Sequence, residues 1–259
     1  MDINSYTDAT DPINNGWISA MPLPTSQRKA DVFSKLEYAE NRRNAVMDEL
    51  FSAKKEGRDP KFLIHTAAEV VATARETFDY LGQDIVEQYL LPNTKNAKIK
   101  KDYASGKLKV YFPFHEPQVK APHGTFHELK IFAPSLYSEL LSFVEGIAGK
   151  RLIHNTLFNY GWFMDLKNMV NEKKHDRLLS VVSEGNQEIL VDGDGLSMLI
   201  PKKQQQGWNT LIVRPGMEMK EVTEYRFAYN NVEVASFCLF SAKATEIIVG
   251  SFYGNHFAA

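Results

Sequence analysis

Residues 168–179, with the sequence NMVNEKKHDRLL, place an amide, an ammonium group and an imidazole close together. Asn171 precedes Lys174 by three positions and His175 by four, so a helix would bring all three onto neighbouring turns of one side. An imidazole titrates near neutral pH and moves protons, whereas an ammonium group attracts an anion. The pattern therefore favours a polar site that handles phosphate, with Asn171, Lys174 and His175 as its candidate catalytic residues.

The same stretch also has a structural interpretation. At about 100° per residue, Lys174 falls within the apolar stripe that includes Phe163 and Val170, while Lys167 and Asn171 lie at its edge. A charged group on the core side of a helix needs partners. Lys174 would find them in a carboxylate of an earlier helix, or it would line a polar groove that takes an anion. The carboxylates available for the first alternative are Glu69, Glu76 and Asp79.

Long helices are the elements that would position these residues. Apolar residues alternate four and three positions apart over residues 26–57 and again over residues 63–91, as expected for helices that pack along one seam. The short turn between them predicts an antiparallel helical hairpin. A third helix is predicted over residues 134–149, and a fourth, from about 156 to 183, carries the candidate site.

The periodicity changes after the fourth helix. Residues 187–200 are typical of a β-hairpin with Asp-Gly turns, and residues 208–216 of a strand. Residues 224–240 are typical of two strands around Asn230 and Asn231. The tail, residues 242–257, is compatible with a short helix or with a strand.

The sequence thus predicts an α+β protein in which an antiparallel helical bundle precedes a small antiparallel β region. An N-terminal arm is expected over residues 1–25 and the bundle over residues 26–183. The bundle would include a long connection at 92–133, with one short strand at 107–112. A β-rich C-terminal region is expected over residues 184–259.

Composition restricts the class of protein. The 259 residues are 44% hydrophobic and carry a formal net charge of −2, which gives no global attraction to nucleic acid or to anionic membrane. Cys238 is the only cysteine, which excludes an internal disulfide and suits a reducing compartment. No signal peptide and no apolar run of about 18 residues is found. We expect a cytoplasmic protein with no membrane partner.

Three segments resemble known proteins: the hairpin sequence ARETFDYLGQDIVEQYL, the segment VYFPF and the helix NEKKHDRLL. In this order they resemble a group of uncharacterised bacterial proteins with an Asn-x-x-Lys-His helix, similar to the HEPN superfamily. The resemblance covers about residues 26–183. It implies a helical bundle related to metal-independent ribonucleases of toxin–antitoxin and phage-defence systems. RNA would be the substrate, without a cofactor, and the protein would form a homodimer and meet an antitoxin or another defence partner protein.

The resemblance also assigns roles to residues. Asn171 and His175 match the polar residue and the histidine of the active helix, whereas Val170 stands at the position of the superfamily's arginine. Lys174 and Arg43 are the cations that would replace that arginine. Members without the arginine are often binding or scaffold domains, so a non-catalytic protein- or nucleotide-binding module is the alternative function.

Further residues complete the expected site. Lys167 and Arg177 flank the motif and, with Arg43, are the expected binding residues, although Arg43 would equally suit an ion pair within the hairpin. A metal site must also be weighed, because three histidines lie within thirteen residues. Pro122 and Gly124 interrupt that stretch and make a shared helix face doubtful, so we expect no metal. The histidines in question are His115, His123 and His127.

Overall fold

Two long helices form the frame of the protein. The computed structural model describes residues 23–154, 156, 158–174, 180–193, 196–201 and 217–258. Helix α1 spans Lys29–Glu56 and helix α2 spans Leu63–Ile85. Gly57 ends α1 in the left-handed conformation, with φ 68°, and its N–H donates to the carbonyl of Ala53, as expected of a glycine at a helix end. The predicted antiparallel hairpin is confirmed.

The connection after α2 is more helical than predicted. A π-helical turn, Val86–Leu90, continues α2 into the short helix α3, Leu91–Asn93. Three more short helices follow, at the positions given below. The strand predicted at residues 107–112 is wrong, because this segment packs along α2 and pairs with no strand among the described residues. The helices are α4 (Ala97–Ala104), α5 (Glu116–Lys120) and α6 (Leu129–Phe132).

The third and fourth predicted helices are present, with both boundaries of the fourth corrected. Helix α7 spans Pro134–Ala148 and helix α8 spans Trp162–Lys174. The start predicted near residue 156 is wrong, because Leu152 and Asn159 form an antiparallel bridge that closes a turn before the helix begins. The predicted end at residue 183 is also wrong, since β-structure has already begun at residue 181.

Three antiparallel strands form one sheet in the order β2-β1-β3. Strand β1 is Val181–Gly193, β2 is Leu196–Pro201 and β3 is Glu218–Phe227. The predicted hairpin over residues 187–200 is confirmed by the pairing of β1 with β2. The strand predicted over residues 208–216 lies outside the described residues.

The last helix departs most from the sequence prediction. Residues predicted as a second strand after Asn231 begin helix α9, Val234–His256. The carboxylate of Glu233 caps it by accepting hydrogen bonds from the N–H groups of Ala235, at 2.8 Å, and Ser236, as expected at an N-cap. Since α9 packs against α1 and α2, this part of the C-terminal region is helical and belongs with the hairpin.

Helix α9 is apolar on most of its circumference. Among the described residues it alone has the length and hydropathy to cross a membrane, yet 61% of its apolar window is buried within the protein. Its aromatic side chains join a cluster of rings at the centre of the molecule, in which Phe78 lies 5.1–5.8 Å from four other rings. The protein is therefore α+β, a mainly helical structure with a small antiparallel sheet. The four rings belong to Phe112, Phe114, Phe143 and Phe163.

Candidate anion-binding site

Helix α8 presents two different sides. Phe163 and Leu166 are fully buried and Val170 is nearly so, whereas Asn171 is exposed. Val170, which stands where the resemblance expects an arginine, therefore packs in the core. Lys174 is the last residue of α8.

Several of the predicted site residues fall beyond what the structure describes. The side chain of Lys174 lies outside the described residues, as do His175 and Arg177 entirely. The grouping of Asn171, Lys174 and His175 consequently stays a prediction.

Lys167 occupies an unusual electrostatic environment. Its Nζ lies 2.5 Å from Nε2 of His115, and among the described residues no carboxylate pairs with it. Burial, and then the positive charge of Arg75, lower the pKa of Lys167. Because this ammonium group has no counterion among the described residues, an incoming anion would relieve the unfavourable energy.

Arg75 supplies a second positive charge from α2. It is only 6% exposed and lies over the ring of Phe114, 4.7 Å from the ring centroid. Its Nη1 donates a 2.6 Å hydrogen bond to Oδ1 of Asp79, one helical turn later. Stacking and pairing together hold the guanidinium in one orientation.

His115 is positioned by the start of α5. The side-chain oxygen of Gln118 accepts hydrogen bonds from the N–H groups of Phe114, at 3.0 Å, and His115, at 3.1 Å. Burial, and then the charge of Lys167, lower the pKa of His115. The imidazole is therefore neutral at pH 7, and its Nε2 is assigned as the acceptor of a hydrogen bond from Lys167.

We call Arg75, His115 and Lys167 the basic cluster. It joins three elements, since Arg75 comes from α2, His115 precedes α5 and Lys167 lies in α8. The cluster can bind an oxyanion through the ammonium group of Lys167. Asn171 follows Lys167 by four residues of the same helix, which places both on one side of α8.

Arg43 lies in different surroundings. It forms an ion pair with Glu40 in the same helix, and the Nζ of Lys243, from α9, lies 3.3 Å from the same carboxylate. None of these contacts connects it to Lys167 or His115. The structure thus places Arg43 in a half-buried ion pair, one of the two arrangements expected from the sequence.

The carboxylates considered as partners of Lys174 all have other cations. Glu69 pairs with Arg42 at 2.7 Å, and Glu76 pairs with Lys35 at 2.7 Å. The third, Asp79, pairs with Arg75, as described above.

The three histidines weighed as metal ligands do not converge. His115 contacts Lys167, and His127 Nε2 lies 2.7 Å from the Nζ of Lys130. Within the part of the chain that the structure describes, no three His, Cys, Asp or Glu side chains form a group suited to a metal ion.

The sequence predicted Lys167 as a binding residue but did not indicate that Arg75 and His115 lie beside it. A signal for Arg75 was present, because it lies four residues after Val71 and three before Phe78, both of which face the core. His115 had been considered only as a metal ligand. Its approach to Lys167 spans 52 residues of sequence and has no local signature.

A cleft lies elsewhere, between the α1–α2 turn and the sheet. Its volume is about 420 Å³, and its lining includes Asp59, Phe62, His65 and Tyr225. The hydroxyl of Tyr225 donates a 3.0 Å hydrogen bond to Asp59, and burial together with this bond raises the pKa of Tyr225 to about 12. The ring of Phe62 is 76% exposed.

Comparison with protein-family models, with curated proteins and with solved structures finds no significant match.

Proposed function

We propose that the protein binds RNA phosphate at the basic cluster and cleaves RNA without a metal, as a HEPN-like ribonuclease of bacterial stress or phage defence. The observation that supports binding is the contact of Lys167 with His115 beside the buried Arg75, where Lys167 has no carboxylate partner among the described residues. An ammonium group in these surroundings favours a polyanionic ligand.

The proposed chemistry needs few groups. A base removes the proton from a ribose 2′-hydroxyl, the oxygen attacks the adjacent phosphorus, and an acid protonates the departing 5′ oxygen. In the proposal His175 acts as base or acid, Lys174 holds the phosphate and Asn171 orients the imidazole or the ribose. Lys167 and Arg177 bind the neighbouring backbone.

A second proton carrier is needed for this scheme. In a homodimer the second copy of His175 would supply it, and a C2 pair is the commonest arrangement of identical chains. His115 is another candidate once a bound phosphate draws the ammonium group of Lys167 away from its Nε2, because the neutral imidazole is then free to act as a base.

Purified protein incubated with total RNA in the presence of EDTA tests the proposal. We expect the wild type to degrade RNA and His175→Ala to be slower by about 10²-fold or more. Lys167→Ala should weaken binding. His123→Ala is the matched control, because His123 is an exposed histidine that forms no hydrogen bond with any described residue. Equal degradation by wild type and His175→Ala, or none by either, would reject the ribonuclease.

Two observations favour the second candidate, a non-catalytic protein- or nucleotide-binding module. Val170 is buried where the HEPN active helix carries arginine, and the cleft beside Phe62 is large enough for part of a nucleotide. RNA binding that depends on Lys167, without cleavage under any condition, would support this candidate instead. A homodimer and an antitoxin or defence partner remain predictions, to be tested by light scattering and by co-expression.

A further inference from the structure

Six lysines lie between residues 95 and 109, where Asp102 is the only carboxylate. All six are exposed, and none forms an ion pair or a side-chain hydrogen bond with any described residue. Lysines of α1 differ, since Lys35 pairs with Glu76 and Lys55 with Asp192. The lysine strip consists of Lys95, Lys98, Lys100, Lys101, Lys107 and Lys109.

Helix α4 turns its lysines outward because its other face is anchored. Ile99 and Tyr103 pack against the hydrophobic core, and the hydroxyl of Tyr103 donates a hydrogen bond to Glu87. Burial and this bond raise the pKa of Tyr103 to about 12. The charged face is therefore held in place.

Residues 107–112, which follow α4, also turn lysines to solvent, although this segment has no regular secondary structure. Lys107, Lys109 and Tyr111 are exposed, while the intervening Val110 and the following Phe112 are buried. Such alternation turns one row of side chains to solvent. The exposed row combines two ammonium groups with an aromatic ring that is 45% exposed.

This segment runs along α2 toward the basic cluster. Tyr103 contacts Glu87, and Phe112 N lies only 2.7 Å from where a Cβ on Gly82 would be. Further along, Phe114 lies under Arg75. Glu87 and Arg75 are separated by twelve residues of largely helical chain, or about 18 Å at 1.5 Å per residue.

We propose that the lysine strip binds a single strand of nucleic acid, which passes over Tyr111 to the basic cluster. This proposal extends the proposed function. Only the part of the path that ends at the basic cluster depends on that function. Unpaired lysines bind the phosphate backbone, and the exposed ring of Tyr111 stacks on a base, which a duplex would keep within its own stack. RNA and DNA strands share this chemistry.

An anionic membrane matches the lysine strip less well than a single strand of nucleic acid does. A helix that lies on a membrane inserts an apolar face beside its basic face. In α4 the apolar Ile99 packs against the protein core instead.

Fluorescence anisotropy tests the proposal on the full chain carrying His175→Ala, which prevents cleavage from removing the probe. The probes are labelled oligouridine and oligothymidine of about twelve nucleotides, within the usual range of site sizes. We expect Lys98→Gln/Lys101→Gln to weaken binding of the single strands about tenfold. The slope of log affinity against log salt should decrease in magnitude by about 1.4, since each lost phosphate contact contributes about 0.7.

The control is Lys61→Gln/Lys150→Gln, which removes the same charge from two exposed lysines that have no ion pair among the described residues. Its affinity and salt slope should match those of the parent. Loss of binding equal to that of the α4 variant would show that only net charge matters, which overturns the proposal.

Tyr111 provides an independent measurement. Tyr111→Phe should retain binding and Tyr111→Leu should weaken it about tenfold, because only the first retains a ring that stacks on a base. Equal affinities for the two variants would overturn the stacking role.

Two competing ligands complete the design. A blunt duplex of the same length should bind more weakly than the single strands, and vesicles containing phosphatidylserine should not compete. Tighter duplex binding, or lysine-dependent vesicle binding without oligonucleotide binding, overturns the proposal. Strand binding as expected, with no cleavage by the wild-type protein, would reject only the ribonuclease.

Discussion

The ammonium group of Lys167 lies 2.5 Å from Nε2 of His115, and no carboxylate pairs with that ammonium group in the part of the chain that the structure describes. Protonation of His115 would place two like charges in contact. The contact is therefore favourable while the imidazole stays neutral, which agrees with the lowered pKa of His115.

This contact makes stability depend on pH. Because the pKa of folded His115 lies below its usual 6.5, the unfolded chain binds the proton more readily. The resulting stability is fully present above pH 6.5 and is lost as pH falls through 6.5 toward the lower folded pKa. We predict that the melting temperature of the wild type, relative to that of His115→Gln, decreases from pH 7.5 to pH 5.

Comparison with His115→Gln cancels the titration of groups shared by both proteins. His65→Gln is the control, since no contact with a cation is found for this exposed histidine among the described residues. The decrease relative to His115→Gln should exceed the change relative to His65→Gln, because His115 contacts the ammonium group of Lys167. A constant difference for His115→Gln would contradict the prediction.

A second prediction concerns Asp84, which is fully buried in α2. Its carboxylate accepts hydrogen bonds from Arg28 at 2.9 Å, from Tyr253 at 2.7 Å and from Ser26. Asp84→Asn would remove the charge opposite Arg28 and place an NH₂ group against other donors. We expect the free energy of unfolding, measured in urea, to fall by about 3 kcal/mol.

Glu76→Gln is the matched control for Asp84→Asn. Glu76 belongs to the same helix, and its side chain is 53% exposed in an ion pair with Lys35. Loss of such a surface pair should change the free energy of unfolding by less than about 1 kcal/mol. Equal effects of the two substitutions would show that the buried network contributes no more than a surface pair.

The sequence predicted the fold best where helices have one polar side. The three-to-four spacing was clear in α1 and α2 because each leaves one side to solvent. The three-to-four spacing did not identify α9, because a helix that is buried on most sides has no such period and its sequence resembles that of a buried strand. The strand prediction at residues 107–112 was wrong for a related reason, because the alternation there comes from packing on α2 rather than from a sheet.

The candidate site was predictable only in part. Lys167 was identified from its place beside the motif of α8. Arg75 and His115 join it through tertiary packing, by the stacking of Arg75 on Phe114 and the anchoring of His115 by Gln118. Contacts of this kind bring together distant segments and leave no spacing that sequence can reveal.

A third prediction concerns Cys238, the only cysteine of the chain. It lies in α9 with no exposed surface, and burial raises the pKa of its thiol. Since the thiolate is the reactive form, we predict negligible reaction with a thiol reagent in native buffer and full reaction in urea. Asp84→Asn should react faster than the wild type, because loss of the Tyr253 contact makes opening of α9 easier. Rapid reaction of the native wild type would contradict the buried position of α9.

The last prediction compares two helical glycines that should respond with opposite signs. A Cβ at Gly82 would lie 2.7 Å from the backbone nitrogen of Phe112, and the chain cannot move away without disturbing the buried ring of Phe112. We expect Gly82→Ala to lower the free energy of unfolding by about 1–3 kcal/mol, as overpacking does. A Cβ at Gly250, in α9, would meet nothing within 4 Å.

Gly250→Ala should consequently raise the free energy of unfolding by about 0.5–1 kcal/mol, the difference in helix propensity between the two residues. Urea unfolding of both variants beside the wild type measures the two effects. Because the propensity gain is common to both sites, the difference between them isolates the close approach of the 107–114 segment to α2. If Gly82→Ala stabilised the protein as much as Gly250→Ala, the segment would not lie against α2, and the proposed path from the lysine strip to the basic cluster would lose its support.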